Sequence, residues 1–258
     1  MSVTVNSIRK RVLNGELLTG TFLNLGSSVT VEMSGDSGFD WILIDLEHGP
    51  SGQDSLLHLL QAASTTPASP VVRIAFNETA SFKKTLDLGA SGIMIPWIQN
   101  AEEAKQAVAA MRYPPLGIRG VAKSPRATGY SYNFDDYFER NHELLLTVIQ
   151  IERTEALEEI EQIASVDGVD VLFIGPMDLS VSLGHPGDFQ HPDQQEAYRK
   201  VIAAANKHGK SAGILLQSIE QIEPTIELGF KFIAIGSDSA LVGSGMRELV
   251  SAFNKFKT

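Results

Sequence analysis

The segment from Leu144 to Ser180 constrains the fold of this chain more than any other. It reads L-L-L-T-V-I-Q-I-E, then a stretch with apolar residues at helical spacing (Ala156, Leu157, Ile160, Ile163, Ala164), then V-D-V-L-F-I-G-P-M-D-L-S. Apolar runs bounded by polar residues read as strands buried on both faces. A helix between two of them implies a right-handed crossover and parallel strands. Both runs end in a carboxylate, Glu152 and Asp178, so the two acids arrive at the same end of one sheet. Paired acidic oxygens suit a hard divalent cation. Taken singly, each acid reads better as a solvated loop residue near a helix start.

The same rhythm fills the chain. Further strand-like runs fall at Leu18 to Leu25, Trp41 to Asp45, Pro70 to Ile74, Gly92 to Pro96, Ala212 to Leu216 and Phe232 to Ile235. That makes eight, nearly all followed by a helical pattern, with no linker between them. The expectation is one α/β domain over residues 1–258, a single (β/α)8 TIM barrel. A doubly wound open sheet is the runner-up, but it would want a glycine-rich phosphate loop, and neither G-x-G-x-x-G nor a Walker motif is present. Arg112 to Asn141, rich in Pro, Gly, Arg and Tyr, breaks the rhythm, and an insertion of that length in a compact domain is usually functional.

Charge and cysteine content narrow the function classes. Lys and Arg number 21 against 31 Asp and Glu, a formal charge of −10, with no basic cluster. Nucleic acid and anionic membrane are therefore not expected partners. Cysteine is absent, which removes disulfides and thiol catalysis and fits a reducing cytoplasm. No apolar run approaches membrane-spanning length, and Met1 to Arg11 lacks the apolar core of a leader peptide.

In such a barrel the chemistry sits at the carboxyl ends of the strands. There the sequence places Asp45, Glu47 and His48 after strand two, Arg73 on strand three, and Pro96 and Trp97 after strand four. Strands five and six bring Gln150 and Glu152, then Gly175, Met177 and Asp178. Strands seven and eight bring Leu216 and Gln217, then Ser237 and Asp238. A buried guanidinium needs an anionic partner. For Arg73 that is Asp45 or Glu47 as an ion pair, a substrate carboxylate or developing oxyanion, or both. Gln150 and Glu152 are two apart and share a strand face. His48 could serve as a metal ligand or a general base. Asp87, an acid at a helix carboxyl end, is disfavoured by the helix dipole and weakly suggests a partner. The remaining histidines, His58, His142, His185, His191 and His208, show no ligand spacing, which argues against a zinc protease. No lysine stands at a strand end, against a Schiff-base aldolase, and no G-x-S-x-G elbow occurs.

Several ordered motifs, F-D-W-I-L-I-D-L-E-H-G-P (39–50), P-V-V-R (70–73), G-A-S-G-I-M-I-P (89–96), R-Y-P-P-L-G-I-R-G-V (112–121), I-Q-I-E (149–152) and F-I-G-P-M-D-L-S (173–180), resemble the class II pyruvate aldolases of the HpcH/HpaI type. The likeness runs from Gly20 to about Asp238. It implies an aldehyde-lyase that reversibly cleaves a 4-hydroxy-2-oxo acid into pyruvate and an aldehyde through a metal-stabilised enolate. Glu152 and Asp178 then match the ligands of a divalent ion (Mg2+, Mn2+ or Co2+), and Arg73 the arginine that steadies the enolate. His48 matches the acid/base histidine and Asp87 the acid that raises its basicity. Gln150, Gly175, Met177 and Asp178 match substrate-contacting positions. Met177 stands where the family often has alanine, and Arg153 where a small residue is common. The Arg112 to Asn141 segment is expected to shape the aldehyde side, alone or with a neighbouring subunit, and the resemblance implies a homo-hexamer. Oxaloacetate decarboxylation, acyl-CoA lysis and a non-catalytic barrel that binds a metal and a keto acid are the competing readings.

Overall fold

The computed structural model describes residues 7–257. The expectations of a single domain over 1–258 and of no leader in Met1 to Arg11 both extend onto residues outside that range. Eight parallel strands close into a barrel in chain order, β8 pairing back to β1. They are β1 Leu18–Leu23, β2 Trp41–Asp45, β3 Ser69–Arg73, β4 Gly92–Ile95, β5 Leu146–Ile151, β6 Val171–Ile174, β7 Ser211–Leu216 and β8 Phe232–Ser237. Around them run α1 Ile8–Leu13, α2 Ser28–Asp36, α3 Gln53–Ala63, α4 Thr79–Asp87, α5 Ala101–Met111 and α6 Phe134–Leu144. The second half adds α7 Thr154–Glu158, α8 Ile160–Ala164, α9 Pro176–Ser182, α10 Pro192–Lys207, α11 Ile222–Leu228 and α12 Asp238–Asn254. The expected (β/α)8 barrel is what forms.

Period-two alternation sorts the strand residues. Trp41 and Leu43 of β2, Leu146 and Val148 of β5, and Val171 and Phe173 of β6 fill the barrel interior with Phe232 of β8. Ile42 and Ile44, Ile149 and Ile151, Leu172 and Ile174 pack outward against the helices. Trp41 stacks on Phe232 at 4.0 Å and 10°, and meets Phe173 edge-on at 6.3 Å. The indole fits because β1 carries Gly20, where a Cβ would lie 2.2 Å from the Trp41 ring. Continued toward the carboxyl ends, the inward rows change from apolar to polar: Trp41 and Leu43 lead to Asp45, Val71 to Arg73, and Val148 to Gln150 and Glu152. The strand period itself delivers the polar groups into one mouth.

The opposite end is closed by α1. Ile8 and Val12, one turn apart, enter the interior cluster. Arg9 Nε donates to both oxygens of Asp170 at 3.1 and 2.9 Å, and the Thr147 N–H donates to the same carboxylate at 3.0 Å. Burial pushes the Asp170 carboxyl above its ordinary value despite these partners. Such a carboxylate anchors α1 only while its cation remains.

The structure departs from the expectations in several places. The six-residue α1 is too short to show periodicity, and α9 runs from Pro176 into Leu179 to Pro192, a stretch that Gly184, Pro186 and Gly187 mark as a loop in the sequence. The helix expected over 154–166 is two pieces that meet at Glu159. Pro224 is third in α11, within the first turn, where its missing N–H has no partner to lose. The irregular segment ends early, because residues 134–144 form α6, with Asp135 and Asp136 in its first turn. This segment leaves the carboxyl end of α5 and so runs over the amino-terminal face of the barrel. Arg126 there donates to the carbonyls of Leu88 at 2.8 Å and Leu60 at 3.3 Å. None of its residues lines the central cavity, so within one chain it does not shape the substrate side.

The last helix stands apart. Of the 17 residues in α12 only Asp238 is buried. Val242, Met246, Leu249 and Phe253, spaced as one helical face, are all exposed.

Candidate active site

The mouth of the barrel holds a cavity of about 470 Å3 lined by Asp45, Arg73, Gln150, Gly175, Met177 and Asp178 among others. Arg73 organises one wall. Its Nε and Nη2 donate to the two oxygens of Asp45 at 2.9 and 2.7 Å, a bidentate fork. Nη1 lies 3.0 Å from Glu47 Oε2 as an ion pair, without aligned hydrogen-bond geometry, and the Phe22 ring sits 5.3 Å from the guanidinium carbon. Both partners foreseen as structural are therefore engaged. A guanidinium has five N–H donors; two are spent on Asp45 and one faces Glu47, which leaves two for a ligand. Burial raises the Asp45 carboxyl, but the Arg73 bonds and charge, with the N–H groups of Glu47 and His48, outweigh it and hold Asp45 below the ordinary value. Burial likewise works against the charged Arg73, and Asp45 and Glu47 more than compensate.

One residue past β5, Glu152 is 2 % exposed. Its Oε1 accepts a 2.7 Å hydrogen bond from the backbone N–H of Trp97, whose φ is +60°. Burial pushes the carboxyl up to about 7; the Trp97 bond opposes this, while Glu47 and Asp178 add to it. Glu47 is raised in the same way, by burial first and then by Asp45 and Asp178 against the pull of Arg73 and His48. Three carboxylates thus share one neighbourhood, and the two buried ones, Glu47 and Glu152, are harder to ionise for it. Asp178, at the start of α9, is exposed and lines the cavity. Gly175, one residue past β6, packs against the side chains at the end of β5. A Cβ there would lie 2.9 Å from Gln150 Nε2 and 3.0 Å from Glu152 Oε2, so no larger residue fits without displacing them.

Gln150 is buried, faces the cavity and has an unpartnered Oε1. His48 stands at the rim, its side chain 65 % exposed, with Nε2 3.7 Å from Glu47. Met177 is half-exposed on the cavity wall. Asp87 is not brought to this mouth within the chain. It ends α4 at the opposite face and accepts a 2.7 Å hydrogen bond from Arg119, whose side chain is fully buried. Asp238, expected at the active end, is spent on structure: it takes the N–H of Asn24 at 2.9 Å and the Thr30 hydroxyl at 2.7 Å. Asn24, with a buried unpartnered Oδ1 on the cavity wall, was not singled out in the sequence. Its position one residue past β1 was the available signal.

The donor set fits a hard cation. Glu47, Glu152 and Asp178 stand against one guanidinium already committed to Asp45, and Glu152 keeps one oxygen free of backbone bonds. A sequence model of the HpcH/HpaI aldolase/citrate lyase family matches residues 18–244. The chain belongs to that family. It is 40 % identical to a 4-hydroxy-2-oxo-heptane-1,7-dioate aldolase of Klebsiella pneumoniae, over 96 % of this chain and 94 % of that protein. An Escherichia coli protein of the same name is 38 % identical over 96 % of this chain and 95 % of its own length. Among solved structures, an HpcH/HpaI aldolase/citrate lyase family protein from Burkholderia cenocepacia superposes with a TM-score of 0.91 at 33 % identity, covering 96 % of this chain and 98 % of that one. The HpcH/HpaI membership expected from the ordered motifs is therefore met. Among the described residues no helix is long and apolar enough to cross a membrane.

Proposed function

We propose that this protein is an aldehyde-lyase that cleaves a 4-hydroxy-2-oxo acid into pyruvate and an aldehyde, and runs the reaction in reverse. The observation that carries this reading is the gathering of Glu47, Glu152 and Asp178 at one mouth beside a guanidinium with two spare donors, with burial and neighbouring charge raising Glu47 and Glu152. Glu152 and Asp178 would hold a divalent ion, and when bound it supplies Lewis acidity to the keto group of a 2-oxo acid. Mg2+, Mn2+ and Co2+ are the ions to try against these oxygen donors.

The chain's own groups do the rest. Arg73 directs its spare N–H groups at the oxygen that gains charge as the C3–C4 bond breaks. Asp45 fixes the guanidinium plane so that no reorientation is needed. His48 Nε2 takes the proton of the 4-hydroxyl, the C3–C4 electron pair passes into the pyruvate enolate, and the aldehyde leaves toward the open rim. Gln150 offers a carbonyl oxygen to the substrate, and Gly175 keeps the floor low enough for it to enter. 4-Hydroxy-2-oxoheptane-1,7-dioate, the compound in the names of the relatives, is the first substrate to assay.

The exposed apolar face of α12 supports assembly into a homo-oligomer, since an unpaired face of that length in water favours association. The test of the activity is pyruvate release from 4-hydroxy-2-oxo acids before and after chelation, with Mg2+, Mn2+ or Co2+ added back. Activity that survives the chelator, or trapping by borohydride with pyruvate, would overturn the metal reading. Faster release from oxaloacetate would make the protein a decarboxylase, and thermal stabilisation by metal and pyruvate without turnover would make it a binding protein.

A further inference from the structure

We infer a second metal site, built from His185, His191 and Asp193 at the junction of the α9–α10 loop with α10, that takes a borderline transition-metal dication such as Zn2+, Ni2+ or Cu2+. It is separate from the carboxylates of the mouth, since none of the three residues lines the central cavity. One nitrogen of each imidazole and one Asp193 oxygen all lie within 4.8 Å of one another. His185 Nε2 is 3.1 Å, and His191 Nδ1 3.6 Å, from Asp193 Oδ2. The two rings stack at 3.4 Å with an interplanar angle of 18°.

The sequence hid this cluster because the three residues match no regular ligand pattern. The backbone brings them together. Gly184 and Gly187 take left-handed conformations (φ +82° and +75°) and turn the chain back on itself. Ser180 locks the turn, its carbonyl accepting from the His185 N–H at 2.8 Å and its hydroxyl from the Gly187 N–H at 2.9 Å. His191 then caps α10, its Nδ1 accepting from the Asp193 N–H at 3.3 Å, a long and weak bond. The donors thus come from a turn and a helix start that are each fixed independently.

The donor chemistry names the ligand class. Two imidazole nitrogens and one carboxylate favour late first-row ions over Mg2+ or Ca2+, whereas Glu152 and Asp178 offer oxygen alone. Parallel rings cannot both aim a lone pair at one ion, so binding swings them apart about χ2. Their side chains are about a third exposed, at 32 % and 30 %, and have room to turn. The His191 ring gives up its weak cap in exchange. Three ligands on an open surface leave the remaining positions to water, so the site clamps structure. It ties the loop after α9, the helix that carries Met177 and Asp178, to the head of α10, where Gln194 already donates to the Pro176 carbonyl at 3.2 Å.

The test uses full-length protein without a histidine tag. In E152Q/D178N, which removes the two proposed metal-holding carboxylates of the mouth, titration with Cu2+ is expected to fill one site, with nitrogen hyperfine structure from two imidazoles in the paramagnetic resonance spectrum. Adding H185Q is expected to weaken that binding at least about tenfold and to remove one nitrogen. D193N is expected to weaken it with both nitrogens retained. Should E152Q/D178N fail to fold, wild-type protein saturated with Mg2+ must take up one further equivalent of Zn2+ that H185Q protein does not. H185Q alone is expected to leave Mg2+-supported pyruvate release unchanged. No stoichiometric uptake, or uptake equal with and without H185Q, overturns the assignment.

Discussion

The Glu152 carboxylate is held by the backbone of Trp97: Oε1 accepts its N–H at 2.7 Å, and Trp97 presents that N–H from a left-handed conformation with φ +60°. A non-glycine residue there carries strain. W97G and W97A both remove the half-exposed ring, but only glycine relieves the strain. W97G is expected to be more stable than W97A by about 1 kcal/mol in urea denaturation, with metal affinity kept. Equal stabilities would show that the conformation is free of cost.

The raised Glu152 carboxyl makes the metal-free fold sensitive to pH. Its folded value of about 7 lies above the ordinary 4.5, so its contribution to stability is fully present below about 4.5 and is lost as pH climbs toward 7. Metal binding needs the ionised form and runs the other way. Calorimetry in buffers of different ionisation enthalpy is expected to show proton release on metal binding at pH 6 that fades by pH 8. E152Q is expected to abolish activity while leaving the metal-free fold at pH 8 at least as stable as wild type. Metal affinity that is flat across this range would contradict the assignment of Glu152.

Arg73→Ala removes the donors aimed at the developing oxyanion and strands Asp45 in the interior. The expected loss is about 10²- to 10³-fold in kcat, with a lowered unfolding midpoint. Arg73→Lys restores a charge but not the fork, and is expected to recover less than a tenth of wild-type turnover, a rough figure for loss of bidentate geometry. Near-normal kcat in either variant would take Arg73 out of the chemistry.

Gly175→Ala puts a methyl group into the space between Gln150 and Glu152. Because both are buried and must shift to admit it, metal affinity is expected to fall about 10- to 100-fold with the fold intact by circular dichroism. An unchanged dissociation constant would mean that the floor yields.

Asp87 is bonded to a buried guanidinium, so Asp87→Ala leaves Arg119 without its carboxylate. A loss on the order of 3 kcal/mol of stability is expected from denaturant titration. An unchanged midpoint with depressed kcat would instead place this carboxylate beside the chemistry, as the family resemblance implied.

Much of this site could be read in the sequence because strand periodicity fixes direction as well as structure. Arg73, Gln150 and Glu152 interrupt apolar rows at inward positions, and the barrel brings such positions together. The reading was weaker where order depends on the long range. Asp87 lies on a helix end, and only tertiary packing shows that it faces Arg119. Nothing local marked residues 134–144 as a helix, because the Pro- and Gly-rich stretch before them hides the boundary. His185 and His191 show no ligand spacing in the sequence because two glycine turns, rather than a regular repeat, bring them together.

The bare apolar ridge of α12 carries a last implication for handling the molecule. A helix with one wet hydrophobic side gains by finding cover, so the melting temperature is expected to climb with protein concentration. Specific activity in very dilute assays would drift downward for the same reason, with no change in any residue of the mouth.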